Sequence, residues 1–161
     1  MTIKAGDTMP TGVLTHMTKD GPQKITTNQL FGGKKVVLFS VPGAFTPTCS
    51  AKHVPSYIAN SEKLKALGVD AVYCISVNDP FVMGAWGRDQ KAGDKVHMMA
   101  DGSAEYTKKL GLELDLTARG MGVRCQRFSM LVDDGVVKAL NIEAPGKYEV
   151  SGAETMLTQL G

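Results

Sequence analysis

One of the three cysteines, Cys49, stands where a protein chain can make a thiol reactive. It follows an apolar run, 36–41, with the composition of a buried strand, and Pro42 and Gly43 then turn the chain. Thr46 is suited to cap a helix whose first position is proline, so Cys49 falls in the first helical turn. Free backbone N–H groups and the positive end of the helix dipole favour a thiolate there. The spacing therefore predicts a nucleophilic cysteine.

Three interpretations of Cys49 compete. A buried core thiol would be inert, but such a thiol needs neither a tight turn nor a capped helix before it. A disulfide-exchange centre would use a Cys-x-x-Cys pair, and residues 45–50 contain no second cysteine. A lone redox or catalytic nucleophile fits the pattern best, and it requires a cation and a polar group nearby.

His53 raises two further interpretations, because it lies four residues after Cys49 on the same face of a helix. A zinc site needs three or four ligands, and only these two are evident. A cysteine hydrolase could pair Cys49 with His53 or His97, but no residue is evident that would orient the imidazole. We interpret His53 as a packing or supporting residue and expect no metal and no cofactor.

The surrounding elements follow from hydrophobic periodicity and turn residues. Predicted strands cover 13–16, 23–26, 36–41, 69–77, 96–100, 128–132 and 136–142, and predicted helices cover 27–31, 47–67, 81–90, 104–110 and the segment after 151. Pro55 should kink the long helix, Thr27 and Ser151 are candidate caps, and the glycine-rich segment 111–123 is predicted as an irregular loop. Strands that alternate with helices predict an α/β fold, with a central mixed sheet flanked by helices and an N-terminal hairpin.

Composition sets limits on domain number and partners. The chain has 161 residues, 43% hydrophobic and 21% charged, with a net charge of +2. We predict a single domain, 1–161, that binds neither nucleic acid nor a membrane. The first residues lack the apolar core of a signal peptide, and three cysteines do not suggest a disulfide framework. We expect a cytoplasmic protein, or one in an organelle reached after loss of a targeting peptide.

Several separated motifs carry a resemblance to one family. Pro42-x-x-x-Thr46-x-x-Cys49 resembles the active-site pattern of peroxiredoxins. The amino-acid sequence of 41–50 is similar to that of the type II, or peroxiredoxin-5-like, subfamily. Further similar segments are 76–82, 86–88, 127–130 and 134–141, so the resemblance extends through nearly the whole chain. It implies a thioredoxin-like fold and a thiol peroxidase that needs no cofactor.

The resemblance also implies roles for individual residues. Cys49 corresponds to the peroxidatic cysteine, Thr46 to the active-site hydroxyl and Arg127 to the active-site arginine. Arg124 is the competing arginine, and an extended strand would point the two to opposite faces, so we assign Arg124 a supporting role. The residues implied for the substrate pocket are Pro42, Gly43, Phe45 and Thr48.

Attack on a peroxide would leave a sulfenic acid on Cys49 that a second thiol must recycle. Some members of the subfamily use a cysteine near the C-terminus, where this chain has Ser151. Cys74 and Cys125 are candidate resolving or secondary thiols, although each also fits an ordinary strand position, and Cys125 shares a predicted face with Arg127. The resemblance favours reduction by glutathione with glutaredoxin, or by thioredoxin, and a homodimer. The alternative function is a peroxide-sensing signalling protein or a holdase-like binding protein that uses the same cysteine.

Overall fold

A mixed sheet of seven strands runs through the computed structural model, which describes residues 2–160. The first and last residues of the predicted domain lie outside the described residues. The strands are β1 (Val13–Thr18), β2 (Gly21–Thr26), β3 (Lys35–Ser40), β4 (Ala71–Ser76), β5 (His97–Ala100), β6 (Glu113–Leu116), β7 (Gly122–Cys125), β8 (Phe128–Asp133) and β9 (Val136–Ile142). The large sheet has the order β2-β1-β5-β4-β3-β8-β9, and β6 pairs with β7 separately. The predicted mixed sheet and its N-terminal hairpin are confirmed.

The three central strands β3, β4 and β5 are parallel, whereas β1 and β8 pair antiparallel with β5 and β3. Parallel strands end at the same edge of a sheet, and sites in α/β proteins form where loops leave that edge. Ser40 and Ser76 end β3 and β4, so the loops that contain Pro42 and Asn78 start side by side. The loop that leaves β3 at this edge leads to Cys49.

Helices cover both faces of the sheet. They are α1 (Thr27–Phe31), α2 (Val54–Ala59), α3 (Ser61–Ala66), α4 (Pro80–Asp89), α5 (Glu105–Leu110) and α6 (Ala153–Leu160), with a π-helical turn over Cys49–His53 and a 3₁₀ turn over Thr117–Arg119. Alternate residues of β3 enter two cores: Val36 and Leu38 pack on one side, Val37 and Phe39 on the other. Cys49 belongs to the second core. No helix within residues 2–160 is both long and apolar enough to cross a membrane.

The predicted continuous helix 47–67 is interrupted. Helical backbone begins at Pro47, widens into the π-helical turn that starts at Cys49, and breaks at Asn60 between α2 and α3. The N–H of Val54 donates to the Cys49 carbonyl, five residues earlier. Pro55 offers no N–H to the carbonyl four residues before it, and its ring crowds that carbonyl, so a wider turn accommodates it. The proline therefore marks a change of helix type.

Other local predictions are corrected by the structure. Segment 111–123 is not irregular, because β6 and β7 form an antiparallel hairpin there. The residue that caps α1 is Thr26, whose side chain accepts from the Gln29 N–H in a reciprocal capping box. The Ser151 hydroxyl, expected to cap α6, donates instead to Glu143.

Candidate active site

A tight loop carries the chain from the end of β3 to Cys49, and a neighbouring asparagine holds it. The Asn78 side-chain oxygen accepts from the Ala44 N–H at 3.0 Å and from the Ser76 hydroxyl at 2.6 Å. Gly43 is buried within the loop, where an added Cβ would lie 3.2 Å from the Thr46 methyl group. This contact is tighter than usual, so a larger residue at position 43 would press on Thr46.

The Cys49 sulfur has two polar neighbours. Thr46 Oγ1 lies 2.8 Å away and Arg127 Nη2 lies 3.0 Å away, while Cys49 itself is 0% exposed. Thr46 Oγ1 is also 2.7 Å from the Gly43 carbonyl, which can only accept. A hydroxyl has one proton, so it donates to that carbonyl when the sulfur is a thiol and can turn to the sulfur when it is a thiolate. The threonine serves the sulfur and the loop, rather than the helix N–H groups it was expected to cap.

Arg127 reaches Cys49 from a segment whose backbone is fixed on both sides. The Ser40 hydroxyl donates to the Gln126 carbonyl, and the Glu143 N–H donates to the Arg127 carbonyl at 2.9 Å. A guanidinium only donates and is always charged, so its Nη2 stabilises negative charge on the sulfur. The two nearest polar groups of Cys49 therefore both suit a thiolate.

Arg124 lies nearby but does not contact the sulfur. Its Nε donates to the Met121 carbonyl at 2.8 Å and its Nη1 to the Val77 carbonyl at 3.1 Å. Nη1 also lies within 3.4 Å of where a Cβ on Gly43 would be. Arg124 thus supports the active-site loop beside Gly43 and does not act on the sulfur directly.

A cavity of about 440 Å³ opens beside the site. Its lining includes Pro42, Thr48 and Arg127, together with Leu114 and Leu116. Of the four residues expected in a pocket, Pro42 and Thr48 lie at this cavity, whereas Gly43 is buried and does not line it. Phe45 points elsewhere: it has a left-handed backbone, φ +65°, and its side chain is 53% exposed, near Trp86.

The His53 ring is fully buried and both of its nitrogens are engaged. Nδ1 lies 2.8 Å from Arg127 Nη1, and Nε2 lies 3.0 Å from the Ser151 carbonyl. Burial, together with the charge of Arg127, lowers the pKa of His53 to about 3, so the ring is neutral at physiological pH. Because both ring nitrogens already have partners, His53 offers no free nitrogen to a metal ion or to the proton of Cys49.

Comparisons with known proteins identify the family of the chain. A family model described as Redoxin matches residues 4–157. Peroxiredoxin-2B from Arabidopsis thaliana is 50% identical over 159 residues, 98% of each chain. The chain belongs to the peroxiredoxin family. Reduced Prx3 from Vibrio vulnificus, crystallised in complex with H2O2, is 52% identical with a TM-score of 0.95 over 99% of both chains. Peroxiredoxin 5 from Alvinella pompejana is 34% identical with a TM-score of 0.87, covering 98% of this chain and 97% of that one.

These similarities confirm the type II resemblance, the thioredoxin-like fold and an enzyme of the thiol peroxidase class.

The other two cysteines of this peroxiredoxin are free and fully buried. Cys74 lies in the same core as Cys49, where burial raises the pKa of its thiol well above the usual value. Cys125 packs in the opposite core, and burial raises its pKa to about 12. Cys125 does not share a face with Arg127 as expected, because the chain leaves strand geometry between β7 and β8.

Three polar residues of this peroxiredoxin site were not predicted. Asn78 supports the loop, and Glu143 and Ser151 form a buried pair behind His53. Asn78 follows a predicted strand, at the sheet edge where supporting groups are expected, so its position was a usable signal. Glu143 and Ser151 lie more than 90 residues from the cysteine in sequence, and no local pattern connects them to it.

Proposed function

We propose that this peroxiredoxin reduces hydrogen peroxide and small alkyl hydroperoxides at Cys49, with Thr46 and Arg127 contacting the peroxide. One observation carries the proposal: a threonine hydroxyl at 2.8 Å and an arginine donor at 3.0 Å both meet the same buried sulfur. A similar protein, Prx3 from Vibrio vulnificus, was crystallised with H2O2, which supports the choice of substrate.

In the proposed reaction the Cys49 thiolate attacks one peroxide oxygen. An S–O bond forms, the O–O bond breaks, and the other oxygen leaves as hydroxide or alkoxide, which takes a proton to become water or alcohol. The sulfur is oxidised to a sulfenic acid and the peroxide is reduced by two electrons. Because charge moves from sulfur to the departing oxygen, Arg127 and the Thr46 hydroxyl lower the barrier by donating where the charge develops.

We further propose that an external thiol, either glutathione with glutaredoxin or thioredoxin, recycles the sulfenic acid. The first thiol would form a disulfide with Cys49 and release water, and a second thiol would release Cys49 by exchange. The raised pKa of the Cys74 and Cys125 thiols, which burial causes, supports this route, because a resolving thiol must be ionised to attack the oxidised sulfur.

Mass spectrometry after one equivalent of peroxide tests the proposal directly. We expect Cys49 to carry a sulfenic acid without glutathione and a glutathione adduct when glutathione is present. Unmodified Cys49 after the peroxide has been consumed would contradict the assigned site. A disulfide between Cys49 and Cys74 or Cys125 would contradict external recycling while leaving the assigned nucleophile intact.

Cys74→Ser and Cys125→Ser are expected to keep peroxide turnover with glutathione and glutaredoxin. Burial raises the pKa of both thiols, so neither is in the ionised form that attack on the oxidised sulfur requires. Steady-state turnover measures the result, and circular dichroism of each variant serves as the folding control. A folded variant that reacts once with peroxide but fails to turn over would identify the missing cysteine as the resolving thiol.

A homodimer is also proposed, with its contact around Phe45 and Phe81. These two aromatic side chains are 53% and 64% exposed, and both lie at the carboxyl edge of the sheet, on the active-site loop and the first turn of α4. Exposed aromatic groups are typical of interface cores.

Phe81→Lys is expected to convert the dimer to a monomer, because a charged side chain would be desolvated at the contact. Sedimentation equilibrium of both proteins measures the mass. Leu67→Lys is the matched control, since Leu67 is 39% exposed and follows α3 at the opposite edge of the sheet. A monomeric wild-type protein, or equal masses for wild type and Phe81→Lys, would contradict the proposed interface.

A further inference from the structure

A buried chain of hydrogen bonds stands behind Arg127. Arg127 Nη1 lies 2.8 Å from His53 Nδ1, while Nη2 of the same guanidinium lies 3.0 Å from the Cys49 sulfur. The two terminal nitrogens of one planar group are therefore both held, one by the imidazole and one by the sulfur. A planar group fixed at two points keeps its direction better than one fixed at a single point.

Chemistry determines the tautomer of His53. Arginine can only donate, so Nδ1 must accept, and the Ser151 carbonyl can only accept, so Nε2 must carry the proton. Only a neutral imidazole with its proton on Nε2 satisfies both contacts. The ring is also confined by aromatic neighbours: the centroid of Phe39 lies 4.7 Å away, and Phe39 stacks on Tyr57 at 4.2 Å.

The segment that carries the Ser151 carbonyl is itself anchored by a carboxylate. Glu143 Oε2 accepts from the N–H groups of Glu149, Val150 and Ser151 at 2.8 Å each, and from the Ser151 hydroxyl at 2.6 Å. The Tyr57 hydroxyl adds a second donor to the Ser151 carbonyl at 2.8 Å. The carbonyl that accepts the hydrogen bond from His53 therefore lies in a segment held by several other hydrogen bonds.

We propose that His53 is a positioning residue, whose neutral Nδ1 holds the Arg127 guanidinium against Cys49 and which acts on the reaction only through Arg127. The inference rests on the function proposed above for Cys49 and Arg127. Any buried imidazole needs partners for its nitrogens, but here the partner of Nδ1 is the guanidinium that also contacts the Cys49 sulfur. Removal of the Nδ1 acceptor would leave an arginine N–H unpaired in a largely buried place and allow the guanidinium to rotate.

Two substitutions of similar size separate positioning from packing. In His53→Asn the amide oxygen takes the place of Nδ1 and keeps an acceptor for Arg127, whereas in His53→Gln the amide nitrogen takes the place of Nε2 and keeps the donor to Ser151. We expect His53→Asn to retain most of the rate constant for peroxide reduction and His53→Gln to lose up to about 100-fold, the cost that a misplacement of about 1 Å can have. In an Arg127→Ala background, His53→Gln should cause no further loss.

Stopped-flow kinetics with hydrogen peroxide measures all five proteins, with circular dichroism to verify folding. Equal losses in the two His53 variants, or a His53→Gln loss that multiplies with that of Arg127→Ala, would overturn the positioning role. A wild-type protein that does not reduce peroxide would instead overturn the proposed function. If the variants do not fold, ¹⁵N NMR of wild-type His53 decides: the Nε2–H tautomer at neutral pH is required, and an Nδ1–H tautomer or an imidazolium refutes the inference.

Discussion

Cys49→Ser is expected to abolish peroxide consumption in the presence of excess dithiothreitol. A serine hydroxyl is almost entirely protonated at neutral pH and does not carry out the two-electron oxidation that sulfur undergoes, so the donors from Thr46 and Arg127 have no reactive atom to assist. Loss of peroxide absorbance or dithiothreitol oxidation measures the effect. Wild-type protein should turn over many times under the same conditions.

Cys74→Ser is the matched control, because it makes the same chemical change in the same core. Retained turnover in Cys49→Ser would refute the assigned nucleophile. Wild-type protein that is oxidised at Cys49 without turnover would support a different function, the peroxide-sensing or holdase-like protein considered from the sequence. The assay therefore separates an enzyme from a sensor as well as one cysteine from another.

Arg127→Ala is expected to lower the rate constant for peroxide reduction by about 10²- to 10³-fold, the usual cost of removing one donor from a developing negative charge. The reason is geometric: Nη2 lies 3.0 Å from the sulfur, where it can also reach a bound peroxide oxygen. Stopped-flow measurement of the first oxidation isolates this step from recycling.

Arg124→Ala is the matched comparison, since both arginines lie within one short segment. It removes donors to the Met121 and Val77 carbonyls, so we expect a stability loss of about 1–3 kcal/mol for these unpaired groups and a much smaller effect on rate. Equal rate losses in the two variants, or a larger loss in Arg124→Ala, would contradict the assignment of Arg127.

Much of the fold was readable from the sequence because local signals and global packing agree. Both predicted hairpins are present, although the first turn is shorter than predicted because Gly21 and Pro22 already belong to β2. The β6–β7 hairpin was missed because each strand has four residues and its glycines favour a loop. The change of helix type at Cys49 was missed because proline signals a disturbance without specifying a π-helical turn.

The candidate site was likewise predictable from the sequence only where its residues are close together along the chain. The spacing of Thr46 and Cys49 is local, so their approach within one helical turn follows from sequence. Arg127 came from family resemblance, since nothing in the spacing of 78 residues places it on the sulfur. The support from Glu143 and Ser151 to His53 depends on three elements meeting in space, and only the folded structure shows it.

Trp86 gives the molecule a built-in optical reporter. It is the only tryptophan in the chain, and its indole N–H donates to the hydroxyl of Ser50 at 3.0 Å, one residue from the reactive sulfur. Indole emission depends on the polarity and hydrogen bonding of its surroundings, and Trp86 is the single source of this emission in the protein. Rearrangement of the π-helical turn around an oxidised sulfur would disturb that bond, so intrinsic fluorescence offers a view of single turnovers without a dye, a label or a coupled enzyme.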